Sequence, residues 1–137
     1  MRRTILGGAI LSAALLTATT ANPAQAASSV PPVMLGCSTA GSSGSITIDN
    51  WTGPDATVKL AISLYDTAAD GHHSRIRLVS KDTFGNRHYW PWRMNYDGQG
   101  NGKSWKTTAS HTNGLFDLGV EVATFEGDTM QNACSDW

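Results

Sequence analysis

Residues 58–65 constrain the fold of this chain more than any other segment. Val58, Leu60, Ile62 and Leu64 fall on one side of an extended backbone and Lys59, Ala61, Ser63 and Tyr65 on the other. A period of two is the signature of a β-strand with one buried face, and a row of four aliphatic side chains needs a second apolar layer to cover it. The same alternation recurs in short runs at residues 33–38, 45–51, 74–80, 87–96, 104–110, 115–125 and 129–134. Turn-forming residues separate them: Gly41 to Gly44, Gly53-Pro54, Asp70-Gly71, Gly85-Asn86, the glycine-rich stretch 98–102, Asn113-Gly114 and Gly127-Asp128. About eight short strands with such turns between them predict an all-β fold, an antiparallel β-sandwich or a small barrel. Its core should include Val58, Leu60, Ile62, Leu64, Ile76, Leu78, Val120 and Val122. Residues 58–65, 74–80 and 87–96 should run as consecutive antiparallel hairpins through Asp70-Gly71 and Gly85-Asn86, with Ile76 and Leu78 facing in and Arg75 and Arg77 facing out. No helix of any length is expected in the mature chain.

The first 26 of the 137 residues have the pattern of an export signal. Arg2 and Arg3 form a basic start, residues 5–16 an apolar core, and Ala24-Gln25-Ala26 a small-x-small cleavage site,. The apolar core is shorter than the roughly 20 residues a membrane helix needs, and Asn22-Pro23 interrupts it,. The expected organisation is therefore a signal peptide at 1–26, a flexible lead-in at 27–32 and one β-sandwich domain at 33–137. This describes a secreted monomer with no membrane segment after signal cleavage. The full chain has a formal net charge of −1; without Arg2 and Arg3, eight basic residues face eleven acidic ones, giving −3. A nucleic-acid partner is not expected at that charge. Export also makes the two cysteines informative, because thiols outside the cytosol are commonly oxidised. Cys37 and Cys134 allow one intramolecular pairing, which would join the start of the domain to its end,.

Charge is unevenly spread: residues 72–106 hold seven basic and two acidic side chains, and residues 107–137 hold five acidic and none basic. Cross-strand pairing of basic and acidic outer faces accounts for this, and a basic, aromatic recognition face is the alternative. The densest unusual stretch is 87–96, with four of the chain's eleven aromatic residues. Regular alternation would place His88, Trp90, Trp92, Met94 and Tyr96 on one face and Arg87, Tyr89, Pro91, Arg93 and Asn95 on the other. The two tryptophans then either fill the interior or form an exposed platform on which sugar rings stack beside an arginine. Pro91 marks an edge strand or a bulge, since proline cannot donate in a central ladder,.

Other candidate chemistry is weaker. His72-His73 beside Asp70 suggests a metal site, but neighbouring residues of a strand point to opposite faces,. The loop from Asp97 to Gly102 resembles a calcium loop only until its twelfth position, which is Thr108 rather than glutamate,. No metal or cofactor is expected. Gly-x-Ser-x-Gly, His-Glu-x-x-His and a catalytic Cys with His are all absent from the sequence,.

The ending at residues 125–137, pinned by Cys134 and closed by Trp137, joins with the segment from Leu64-Tyr65-Asp66 through Arg77-Leu78 to carry a resemblance. The chain resembles small exported actinobacterial proteins of uncharacterised function, single β domains with a disulfide near the C-terminus. The resemblance spans most of 33–137 and implies no activity, cofactor or site residue. The functional expectation is therefore built on the residues alone: a secreted, non-catalytic binding module for a carbohydrate or an extracellular protein, using Arg87, Tyr89, Trp90, Trp92 and Arg93,. Two alternatives stand beside it. One is a secreted inhibitor of extracellular hydrolases acting through loop 66–73 or 97–103, and the other a small toxin or hydrolase using His88 or His111 with Glu121,.

Overall fold

A computed structural model of the protein describes residues 30–137. The expected signal peptide at 1–26 and the first residues of the lead-in lie outside the described residues. Each alternating run forms a strand: β1 Val33–Thr39, β2 Ser42–Asp49, β3 Val58–Asp66, β4 His73–Lys81, β5 Arg87–Tyr89, β6 Arg93–Asn95, β7 Gly102–Ala109, β8 Asp117–Glu126 and β9 Thr129–Asp136. The described chain has nine strands rather than about eight because the run 87–96 divides at Trp90, Pro91 and Trp92. Pro91 has no N–H to donate, so the ladder stops there and resumes at Arg93,.

The strands form two separate antiparallel sheets rather than a closed barrel. One has the order β1-β2-β3-β7, and the other β5-β4-β8-β9, with β6 sharing the outer edge of β4 with β5. Pairings such as Ile46↔Ile62 in the first sheet and Ile76↔Val122 and Leu78↔Val120 in the second align the apolar rows of neighbouring strands. All eight expected core residues are buried between the sheets, joined by Ile46, Ile48, Leu115 and Leu118. Gly44 lies on the inner face of β2, where a Cβ would come within 2.8 Å of the Ile76 side chain, so its missing side chain lets the second sheet close onto the first,.

The expected hairpin between residues 58–65 and 74–80 is not formed. β3 and β4 belong to different sheets, and residues 67–72 cross from one to the other. The crossing is held by the Thr67 N–H donating to Gly41 O at 3.0 Å. The β4–β5 turn is a true hairpin. The Asp82 carboxylate accepts from the Phe84 and Asn86 N–H groups, both at 2.9 Å, and these bonds outweigh its desolvation and hold its pKa below the usual value,.

Cys37 in β1 and Cys134 in β9 are disulfide-bonded across 97 residues of sequence. Each lies on the terminal strand of its sheet, so the bond ties one edge of the sandwich shut. At the opposite edge β7 faces β5 and β6 with no covalent link. A disulfide is compatible with an extracellular protein. Loop closure of this length stabilises a domain by about 2–4 kcal/mol in practice. A Cys37→Ser/Cys134→Ser variant is expected to lose that amount in a denaturant titration. An unchanged midpoint would mean that apolar burial alone sets the stability.

Candidate functional site

The outer face of β4 carries His73, Arg75, Arg77, Val79 and Lys81, and β8 presents Phe125, Ala123, Glu121, Gly119 and Asp117 directly opposite them. Facing side chains of opposite charge therefore pair: Arg77 Nε donates to Glu121 Oε2 at 2.6 Å and Lys81 Nζ to Asp117 Oδ2 at 2.8 Å,. Arg75 Nη2 reaches the β8–β9 turn, donating to Gly127 O at 2.8 Å and Asp128 Oδ1 at 2.9 Å. Much of the uneven charge seen in the sequence is thus neutralised across one strand pair.

Each of these cations also lies against an aromatic ring. Arg75 is 4.0 Å from the centroid of Phe125, and Arg77 is clamped between Tyr89 at 4.2 Å and Trp92 at 4.1 Å. Lys81 and Arg87 approach Trp137 at 4.6 and 5.0 Å. Trp137 covers Gly119, where a Cβ would come within 2.7 Å of its indole. Tyr96 stacks on His73 with centroids 4.3 Å apart, and Trp92 meets Phe125 edge-on at 5.5 Å. Both arginines face out as expected, yet they are not solvated: Arg75 is buried and Arg77 half-buried under the rings. Across the nine residues of β4 this face runs for about 26 Å at a strand rise of about 3.3 Å,.

The five residues singled out from the sequence occupy two places. Tyr89 and Trp92 lie on this outer face and Arg87 at its end beside Trp137. Trp90 instead packs against the core and its Nε1 donates to Ser80 Oγ at 3.1 Å. Arg93 pairs with Ile76 and so shares the inner side of the sheet. Trp90 and Trp92 do not share a face as regular alternation requires, because the break at Pro91 resets the alternation between β5 and β6. Neither expectation for the pair holds as a whole: one is at the core margin and the other half-buried on the outside.

Tyr96 and Trp137 belong to the outer face although neither was a site candidate from the sequence. The available signal was the spacing of Arg75, Arg77 and Lys81 against Glu121 and Asp117, which identifies the face once β4 and β8 are known to pair. At the open edge, a cleft of about 190 Å³ lies between the sheets, lined by Trp90, Pro91, Arg93, Thr107 and Thr108 over Leu60. A larger depression of about 600 Å³ on the outer face of the first sheet, between Asp49, Lys59 and Lys106, has no aromatic side chain.

His88 and His111 approach each other with ring centroids 4.7 Å apart, but Glu121 is engaged with Arg77 on the outer face. The histidine and carboxylate of the hydrolase alternative are therefore not assembled. His72 bonds Asp70 at 3.1 Å rather than converging with His73, which turns to the outer face. No group of three or more metal-ligating side chains occurs among the described residues. Comparison of the chain with protein-family models, with curated proteins and with solved structures finds no match.

His73 is held below its usual pKa of 6.5, first by burial and then by the Arg75 guanidinium, while Asp128 and Asp66 oppose the shift. Its Nε2 accepts from Arg75 Nε at 2.9 Å, a bond only the neutral ring can make,. Below pH 6.5 the unfolded chain then takes up a proton that the folded chain refuses. Stability should fall as pH drops through 6.5 toward the folded value, and a His73→Gln protein should show a flatter slope there. Asp70 and Asp82, also held low, contribute loss only as pH falls below about 3.8. Equal melting temperatures for the parent at pH 7.5 and 5.5 would remove His73 as a proton-linked element.

Proposed function

We propose that the protein is a secreted, non-catalytic binding module that recognises a carbohydrate through the outer face of the β5-β4-β8-β9 sheet. The observation that carries this reading is the exposure of three aromatic side chains on that one face, Tyr89 at 49%, Tyr96 at 62% and Trp137 at 37%. Apolar rings left that accessible on one face suit stacking against the C–H faces of sugar rings. Each is supported from beneath by a cation or an imidazole, Arg77 under Tyr89, His73 under Tyr96 and Lys81 with Arg87 at Trp137. That support fixes ring orientation before binding and so lowers the entropy lost on association. Because Glu121, Asp117 and Asp128 neutralise the β4 cations, attraction to the face does not rest on bulk charge. The export-signal pattern in the sequence and the disulfide support a site of action outside the cell, where structural polysaccharides are available as ligands,.

Co-sedimentation with insoluble cellulose, chitin and bacterial cell wall at low and high salt tests the reading. Binding to at least one polymer should survive high salt, and Tyr89→Ala and Trp137→Ala should each weaken it by about 0.5–1.5 kcal/mol, the worth of a stacked ring. Binding that persists undiminished in the double variant, or no binding to any polymer, would transfer the face to a protein partner.

A further inference from the structure

The cleft at the open edge differs in character from the aromatic face that it adjoins. The two meet at the break in the edge strand, where Trp90 turns into the cleft, Trp92 turns onto the face and Pro91 lies between them. Arg77 lines the cleft as well as standing between Tyr89 and Trp92. With a volume of about 190 Å³ the cleft is below the range of about 300–1,000 Å³ that encloses drug-sized ligands,. It suits one ring or one charged substituent of a longer molecule.

Its charge is the informative part. Arg75, Arg77, Lys81 and Lys103 each have a carboxylate within 4.0 Å, whereas no carboxylate pairs with Arg93 among the described residues. Arg93 is nevertheless half-buried, on the inner side of the sheet opposite Ile76. Its guanidinium is left without a counter-charge, and it offers a planar, two-pronged donor that matches a carboxylate. Trp90 supplies an aromatic wall beside it, and Thr107 and Thr108 of β7 line it from the facing sheet.

We propose that this cleft is a subsite for a carboxylate-bearing sugar residue, so that the polysaccharide recognised by the aromatic face is an acidic one. Arg93 holds the carboxylate and Trp90 backs the ring. The inference rests on the reading of the outer face as a sugar platform. Arg87, exposed at the far end of that face and also without a carboxylate partner among the described residues, gives a second anionic contact along the same chain.

The test uses the folded protein with polygalacturonate, its fully methyl-esterified form, alginate and hyaluronate, measured by affinity electrophoresis at a fixed salt concentration. At least one acidic polymer should bind. Where polygalacturonate is that polymer, esterification should weaken binding roughly tenfold or more, as expected for loss of one charge-assisted contact. Arg93→Gln, checked by its melting curve, should lose the same factor against the acidic polymer and leave any neutral-polymer binding unchanged, and Arg93→Lys should restore part of it.

Several results would overturn the proposal. Polyglutamate competing as well as the sugar would reassign the cleft to acidic protein. Equal affinity of parent and Arg93→Gln protein for every acidic polymer would leave Arg93 as an inward charge that guards a strand edge against pairing. In that case sensitivity to Tyr89→Ala would show the platform standing without the subsite. Binding of neutral polymers only would refute the cleft and keep the platform, and no binding to any polymer would refute both.

Discussion

The disulfide between Cys37 and Cys134 governs the asymmetry on which everything else in this structure depends. Two sheets with apolar inner faces adhere because burial removes Ile46, Ile48, Leu64, Ile76, Val120 and Val122 from water,. That force is non-directional and does not favour one edge over the other. The covalent bond joins β1 to β9 and closes one side. The other side has β7 facing a divided edge strand, and polar and aromatic side chains are found together there at the mouth of the interior. A single cross-link therefore separates a structural margin from one with room for a ligand.

A second organising device is the mutual neutralisation of β4 and β8. Three cations on one strand would repel one another and hydrate separately if left alone. Opposite carboxylates at Glu121 and Asp117, and Asp128 from the adjoining turn, satisfy them in place. With charge settled locally, the rings of Tyr89, Trp92, Phe125 and Trp137 pack against guanidinium and ammonium groups that are already positioned. Each contact contributes modestly, about 0.5–2 kcal/mol depending on desolvation. Together they convert the outside of a sheet, normally mobile and hydrated, into an ordered layer.

Both ends of the interior are sealed by groups with little sequence pattern. At one end Trp51 Nε1 donates to Leu115 O at 3.0 Å, closing the β2–β3 and β7–β8 connections over the core. At the other, Ser42 in the first sheet meets Ser74 and Thr124 of the second at 2.7 Å each, all three buried. Thr124 Oγ1 donates onward to Ala40 O at 2.6 Å, so the hydroxyls are satisfied without water. Buried polar groups of this kind are tolerated because each has its partner, and they hold one alignment of the sheets against others.

Strand identity, the core and the cysteine pairing were all legible in the chain, because alternation over a few residues and a count of two cysteines are local facts. Pro91 likewise announced an edge strand by its missing donor. What alternation could not reveal was the consequence of the break: once the ladder is interrupted, the faces of the residues after it depend on how β6 re-enters against β4, and Trp90 and Trp92 part. Nor could spacing show that residues 67–72 change sheets, that Tyr96 and Trp137 converge on the face bearing Tyr89, or that Ser42 and Thr124, 82 residues apart, touch. The sequence by itself determined which residues of each unbroken strand face in, since that choice is made within one strand. Tertiary structure alone decided which strands became neighbours, and with them which rings, charges and hydroxyls lie together, because those contacts join residues whose separation along the chain carries no pattern.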